Sequence, residues 1–207
     1  MDIKPIETQY SGYKFRSRLE ARWAVFFDAA GIKYQYEPQG YEVGINNRKK
    51  YLPDFFLPDT KTWVEVKGDI QGTDFQKLAD AVDWGKGLPY TEDSIGSSSG
   101  LLVLGKIPNA KIDQHRTAIL HTILQHNKGG WLKYTYFDND GVHKTSETCD
   151  IYFDSSWGNQ HKKLEWVKNL IDSVDGDYYV QGHFLSVKIE KAYDAARKAR
   201  FEYGCRG

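Results

Sequence analysis

Residues 51–67 constrain the fold more tightly than any other stretch of the chain. Two runs rich in aromatic and β-branched residues, 51–57 and 62–67, flank Pro58-Asp59-Thr60-Lys61. The runs have strand composition, and the four residues between them have turn chemistry. The segment predicts a β-hairpin. Pro53 has no N–H to give to a ladder, so it marks the first arm as an edge or as the beginning of a strand. Side chains alternate across a strand. Glu65 and Lys67 then point one way, and Val64 and Val66 point into the core. The turn brings Asp54 alongside Glu65 and Lys67.

The surrounding pattern places this hairpin in a layered α/β arrangement. Leu19, Trp23, Phe26 and Phe27 recur at helical spacing, and Gly31 follows as a stop, predicting a helix over 17–30. Residues 32–37 alternate and read as a strand, residues 41–45 as a second short one, and 46–49 as a turn. The spacing predicts a helix over 74–84. Residues 101–104, between Gly100 and Gly105, form a short apolar run suited to a buried strand. The polar stretch from Gly87 to Gly100 reads as a surface loop. The first 105 residues thus give helix, strands, helix, strand: a mixed sheet flanked by helices.

The C-terminal half, 106–207, reads as an α+β extension packed on that core. A helix is expected over 112–127 and a strand over 131–137. Asp138-Asn139-Asp140-Gly141 carries a hairpin-turn signal, and one or two return strands are expected over 142–153. Further helices are expected over 162–174 and 187–203. The 207 residues fit one domain, or one domain with an appendage.

Lys plus Arg is 28 and Asp plus Glu is 28, so the formal net charge is zero. A chain that merely coats nucleic acid is usually strongly basic. Nucleic-acid binding here therefore needs a local basic patch balanced by acids elsewhere, and metal-holding acids are one source of that balance. The apolar fraction, 40%, excludes disorder throughout. No apolar run approaches the roughly 18 residues that span a bilayer, and the N-terminus lacks a signal-peptide stretch. Cys149 and Cys205 form no CxxC pair, so free thiols are expected. The histidines show no paired ligand spacing. Asp138 to Gly141 lacks the alternating ligands and distal Glu of a calcium loop.

Asp54, Glu65 and Lys67 carry the chemistry. Two carboxylates can hold Mg²⁺ through oxygen while leaving positions for water and phosphate. The metal lowers the pKa of a bound water and polarises the phosphoryl oxygen. Lys67 can orient that water or offset transition-state charge. Glu20 lies on the first helix beside Trp23, Ala24 and Phe27 and is a third candidate acid. It has a second reading: Ser17-x-x-Glu20 is a capping box in which Glu20 bonds back to the Ser17 amide.

Pro53-Asp54, ten residues, then Glu65-Val66-Lys67 resembles the motif of the PD-(D/E)XK nuclease superfamily, the restriction-endonuclease-like fold. Residues 15–20, 31–37 and 51–58 also resemble phage Holliday-junction resolvases of the endonuclease I kind, and the resemblance covers about residues 10–70. The whole chain resembles nuclease-like proteins of phages and prophages. The resemblance implies a restriction-endonuclease-like core over 1–105 and a DNA endonuclease using Mg²⁺, with Mn²⁺ as a substitute. It implies Asp54, Glu65 and the Val66 carbonyl as metal ligands, Glu20 as an auxiliary ligand, and Lys67 as the residue that positions or activates water. It further implies a 5′-phosphate product, a possible homodimer or partner protein, and an intracellular setting.

The DNA-contact candidates are Arg16, Arg18, Arg22, Lys49, Lys50 and Gln76, with Lys77 beside them. Phosphate contact is one reading of the arginines; a solvated helix face is the other. The basic tail, Lys188, Lys191, Arg197, Lys198, Arg200 and Arg206, is read the same two ways. Aromatics over 131–137 suit base stacking or a core strand. Three functional alternatives stand beside a structure-specific endonuclease: an exonuclease or restriction-like nuclease on ordinary duplex, a non-cleaving DNA-binding module, and a nuclease subunit that needs a partner.

Overall fold

The computed structural model describes residues 6–44, 49–68, 73–83, 86–90, 100–109, 117–119, 121–125, 131–139, 141–152 and 179–201. Of 117–118, 125, 131–134, 141, 143–152 and 179–184 only the backbone is described.

The chain begins with a hairpin, β1 (Thr8–Tyr10) and β2 (Tyr13–Phe15). Ser11 and Gly12 both take positive φ, 49° and 81°. Such a two-residue turn matches the twist of the strands it joins. Helix α1 (Arg18–Ala30) follows, with Ser17 as N-cap and Gly31 as C-cap at φ 68°. The expected boundaries match. Next come β3 (Gln35–Tyr36), β4 (Tyr41–Val43), β5 (Lys49–Tyr51), β6 (Phe55–Leu57) and β7 (Thr62–Val66). Helix α2 (Phe75–Val82) is capped by Asp74 and leads to β8 (Gly100–Leu104).

Three expectations in this half are corrected. Residues 51–57 do not form one strand: Pro53 interrupts it, and Tyr51 closes a separate two-stranded sheet, β4–β5. The predicted strand over 32–37 shrinks to two residues, an edge of the main sheet. The start of the 87–100 loop is packed down rather than free on the surface. Leu88 is buried, and the Tyr90 hydroxyl donates to the Ala81 carbonyl at 3.0 Å. Residues 46–48 and 91–99 lie outside the described residues.

The second half holds β9 (Thr117–Ile119), β10 (His121–Gln125), β11 (Trp131–Asp138), β12 (Gly141–Tyr152), β13 (Tyr179–Phe184) and α3 (Val187–Lys198). The expected helix over 112–127 is overturned at 117–119 and 121–125, which are strand. Ile119, Ile123 and Leu124 satisfy helical spacing, and 121–125 shows no strand alternation, since 121–124 are all buried. Ladder pairing on both sides of β10, to β8 and to β11, makes it a strand. The hairpin at 138–141 forms as expected, with Asp138 opposite Gly141. The helix expected over 187–203 ends at Lys198. The helix expected over 162–174 lies outside the described residues, as does Cys205.

Seven strands make the main sheet in the order β12-β11-β10-β8-β7-β6-β3. β7 and β8 pair in parallel, joined by the crossover that carries α2; every other neighbouring pair in this sheet is antiparallel. Both faces of β7 and β8 are covered. Val64, Val66, Leu102 and Leu104 join α1 and α3 in one core with Trp23, Phe26, Phe27 and Tyr193. Trp63, Leu101 and Val103 face α2, Val43 and Tyr51 in a second core. The sheet is thus a middle layer. This explains why 101–104 is a continuous apolar run rather than an alternating one. Trp23 ties α1 to the sheet by donating its indole N–H to the Gly105 carbonyl at 2.8 Å. Among the described residues no helix is long and apolar enough to cross a membrane.

Candidate active site

The register of the β6–β7 hairpin places the acids. Phe55 pairs with Val64, Phe56 with Trp63 and Leu57 with Thr62. Asp54 immediately precedes β6, and Glu65 is the next-to-last residue of β7, so both stand at the end of the hairpin away from its turn. Glu20 reaches the same place from the first turn of α1. Arg16, Glu20, Asp54, Glu65, Val66 and Lys67 all line one cleft of about 670 Å³, together with Lys50, Tyr51 and Lys77.

Each carboxylate is held by a neutral donor. Asp54 Oδ2 accepts the Val66 N–H at 2.7 Å, and Glu65 Oε2 accepts the Tyr51 hydroxyl at 2.7 Å. Glu20 Oε2 accepts the Tyr36 hydroxyl at 2.7 Å and the Arg16 N–H at 3.1 Å. The remaining oxygens of Asp54 and Glu65 face cations: Asp54 Oδ1 meets Arg16 Nη2 at 2.8 Å, and Glu65 Oε1 meets Lys67 Nζ at 2.5 Å. Arg16 also pairs with Glu37.

The acids are almost dry: Glu20 is 7% exposed, Asp54 4% and Glu65 7%. Burial pushes the Asp54 carboxyl well above its ordinary range, and the charges of Glu65 and Glu20 push it further. The Val66 N–H and the Lys67 charge work against that rise. Burial and the adjacent Glu65 raise Tyr51 as well, so its hydroxyl keeps its proton. Burial and the bond to Glu20 do the same for Tyr36.

Glu20 lines the cleft and also caps the helix, with one change from the expected cap. The Glu20 N–H bonds the Ser17 hydroxyl at 3.1 Å, as a capping box requires. The returning carboxylate, however, takes the Ser17 hydroxyl at 2.7 Å and the Arg16 amide, not the Ser17 amide. Helix start and cleft therefore share one carboxylate.

The DNA-contact candidates separate. Arg16 and Lys50 line the cleft; Arg18, Arg22, Lys49 and Gln76 do not. Lys49 is engaged by Asp80 at 3.4 Å and Asp74 at 3.6 Å, and Gln76 donates to Asp80 at 3.1 Å. Arg22 is half-buried on α1. Lys77, one residue on from Gln76, does line the cleft. No described residue of the basic tail lines it, and Arg197 and Lys198 both pair with Asp194 on their own helix. Arg206 lies outside the described residues. Phe137 is core, 4.8 Å from Phe26 between ring centroids.

Sequence reasoning missed Tyr36 and Tyr51. Tyr36 carried one signal: in Tyr34-Gln35-Tyr36 it shares a strand face with Tyr34. Tyr51 carried none, because its role depends on a strand pairing outside the main sheet.

Among the described residues no three His, Cys, Asp or Glu side chains are grouped to hold a metal ion as they stand. The donor set nevertheless suits a hard divalent cation. Asp54, Glu65 and the Val66 carbonyl offer oxygen donors, and the crowding that raises Asp54 is of the kind a cation relieves. Comparison with family profiles, with curated proteins and with solved structures found no match to any of them.

Proposed function

We propose that this chain is a metal-dependent deoxyribonuclease of the PD-(D/E)XK kind that hydrolyses phosphodiester bonds in DNA. One observation carries the reading: Glu20, Asp54, Glu65 and Lys67, from three separate elements, line one cleft whose other charged residues are Arg16, Glu42, Lys50 and Lys77. The order α1, β3, β6, β7, α2, β8, with β7 and β8 parallel, supports a restriction-endonuclease-like core.

Asp54, Glu65 and the Val66 carbonyl would hold Mg²⁺ or Mn²⁺, with Glu20 as an auxiliary ligand. A bound cation supplies a water of lowered pKa and a polarised phosphoryl oxygen. Lys67 stands against Glu65 Oε1, so its ammonium is placed to orient a water at the same carboxylate. Arg16, Lys50 and Lys77 offer the cationic groups that phosphate contact needs beside the cleft's acids, which include Glu42, and a sequence-independent contact of this kind supplies most non-specific affinity for DNA. Branched DNA is the substrate class we favour. A homodimer suits symmetric cutting of a junction.

A second reading is a DNA-binding module that does not cleave. The pairing of Arg16 with Asp54 and of Lys67 with Glu65 favours it, because both carboxylates are already neutralised without metal.

The test is purified protein with Mg²⁺ or Mn²⁺ and a labelled panel: four-way junction, linear duplex, nicked duplex, supercoiled plasmid, single-stranded DNA and RNA. Glu65→Ala serves as control. Symmetric cuts near the junction are the expected result. Cutting of plain duplex or of ends moves the function to the exonuclease or restriction-like reading. Binding without cleavage by the wild-type chain selects the binding module or a nuclease that requires a partner.

A further inference from the structure

We infer that Tyr51 is a positioning residue that reserves one oxygen of Glu65 and thereby makes the site selective for a small divalent cation. The inference rests on the reading of the cleft as a metal-dependent nuclease centre.

Tyr51 does not belong to the sheet that carries Glu65. It ends β5, in the separate β4–β5 pair, and its hydroxyl crosses to Glu65 Oε2 at 2.7 Å. The ring is 3% exposed and stands in the second core with Trp63 and Leu78. Lys77 of α2 places its ammonium 5.4 Å from the ring centroid. β5 and α2 thus hold the ring from outside the strand that bears the carboxylate, and Trp63 of that strand packs beside it.

The two oxygens of Glu65 consequently differ. Oε2 faces a neutral donor on a rigid ring. Oε1 faces Lys67, an ammonium on a flexible stem. An entering cation displaces Lys67 from Oε1 far more readily than it displaces Tyr51 from Oε2, so Glu65 offers one oxygen rather than two. Mg²⁺ and Mn²⁺ suit single-oxygen carboxylate ligands in a six-coordinate shell. Ca²⁺ takes six to eight oxygens and commonly uses both oxygens of a carboxylate. Tyr51 therefore opposes Ca²⁺ more than it opposes Mg²⁺ or Mn²⁺.

The experiment titrates the full chain with Mn²⁺ and with Ca²⁺ by calorimetry, without DNA, for wild type, Tyr51→Phe and Tyr51→His. Near-UV circular dichroism checks the fold of each. In Tyr51→Phe the Mn²⁺ affinity is expected to fall about 10–100-fold, the usual effect of removing a partner behind a metal ligand. Ca²⁺ affinity falls less or rises, so the Mn²⁺-to-Ca²⁺ ratio shrinks. Tyr51→His restores a ring donor and is expected to recover part of the ratio. A folded Tyr51→Phe with wild-type affinity for both ions overturns the inference. So does an equal loss for both ions, which would mean general loosening. If Tyr51→Phe does not fold, Tyr51→Leu, which also removes the donor, takes its place: a ratio below wild type supports the inference, and an unchanged ratio overturns it. A wild-type chain that binds neither ion shows that the metal reading itself has failed.

Discussion

Arg16 Nη2 donates to Asp54 Oδ1 at 2.8 Å, joining the residue just ahead of the α1 cap to the residue just ahead of β6. The pair is lopsided: the Arg16 side chain is 53% exposed and the Asp54 side chain 5%. The guanidinium sits where a cation would relieve the crowded carboxylates. Arg16→Gln is expected to cost about 1–2 kcal/mol without metal, between the values of exposed and buried pairs. In a domain of this length that lowers Tm by about 2–8 °C. Saturating Mg²⁺ should shrink the loss. Thermal melts of both proteins with and without Mg²⁺ check this, and a loss that Mg²⁺ leaves unchanged would show that Arg16 does not occupy the cation position.

Glu65→Ala and Lys67→Ala should each lower DNA cleavage by about 100-fold or more, the usual scale for loss of an acid–base or water-positioning group. Both should keep the wild-type circular dichroism spectrum. Removing Glu65 takes away one like charge acting on Asp54, which offsets part of what the lost Tyr51 and Lys67 contacts cost. Single-turnover cleavage of the preferred substrate is the measurement. Wild-type rates in either variant would displace the assigned site.

The shared carboxylate of Glu20 can be split into its two roles. Ser17→Ala removes the helix cap and should cost about 1 kcal/mol, with a modest fall in rate because one Glu20 contact goes with it. Glu20→Gln keeps an oxygen for Tyr36 and the Arg16 amide but loses the charge. It should barely move Tm and should reduce cleavage more than Ser17→Ala does. Paired denaturation and rate measurements on the two variants separate these outcomes, and the reverse ranking would leave Glu20 a cap alone.

His121 gives the fold an acid limit. Its Nε2 lies 2.6 Å from the Tyr193 hydroxyl, among the rings of Trp23 and Phe137. Burial lowers its pKa to about 3 from the ordinary 6.5. In that window the unfolded chain binds a proton that the folded chain refuses. Stability is therefore complete above about pH 6.5 and falls on acidification toward pH 3, at about 1.4 kcal/mol per pH unit. Between pH 7.5 and pH 5 the loss is about 2 kcal/mol. Urea unfolding at the two pH values should show it, and His121→Gln should flatten it. Parallel loss in both proteins would assign the acid sensitivity to another group.

Local signals were strongest where one element satisfies its own requirements. Ser17, the apolar stripe from Leu19 to Phe27 and Gly31 together define α1, because capping, amphipathicity and a left-handed stop are all properties of the helix itself. The β6–β7 hairpin was legible for the same reason, since its turn and both arms are contiguous. From it followed the meeting of Asp54 with Glu65 and Lys67. The strand β10 was not legible. Its residues carry no strand alternation because both faces are buried, and its pairing was set by neighbours about 20 residues upstream in β8 and 10 downstream in β11.

The sequence by itself determined the acids and the lysine of the cleft, because hairpin register is a short-range property. It also determined the helix that brings Glu20 and the two-sided burial of β8. Only the tertiary structure decided how those acids are held. Tyr51 reaches Glu65 from a separate sheet, Tyr36 reaches Glu20 from an edge strand, and Arg16 reaches Asp54 across 38 residues. Each of these bonds depends on where packing sets one element against another, and no periodicity within either element encodes that distance.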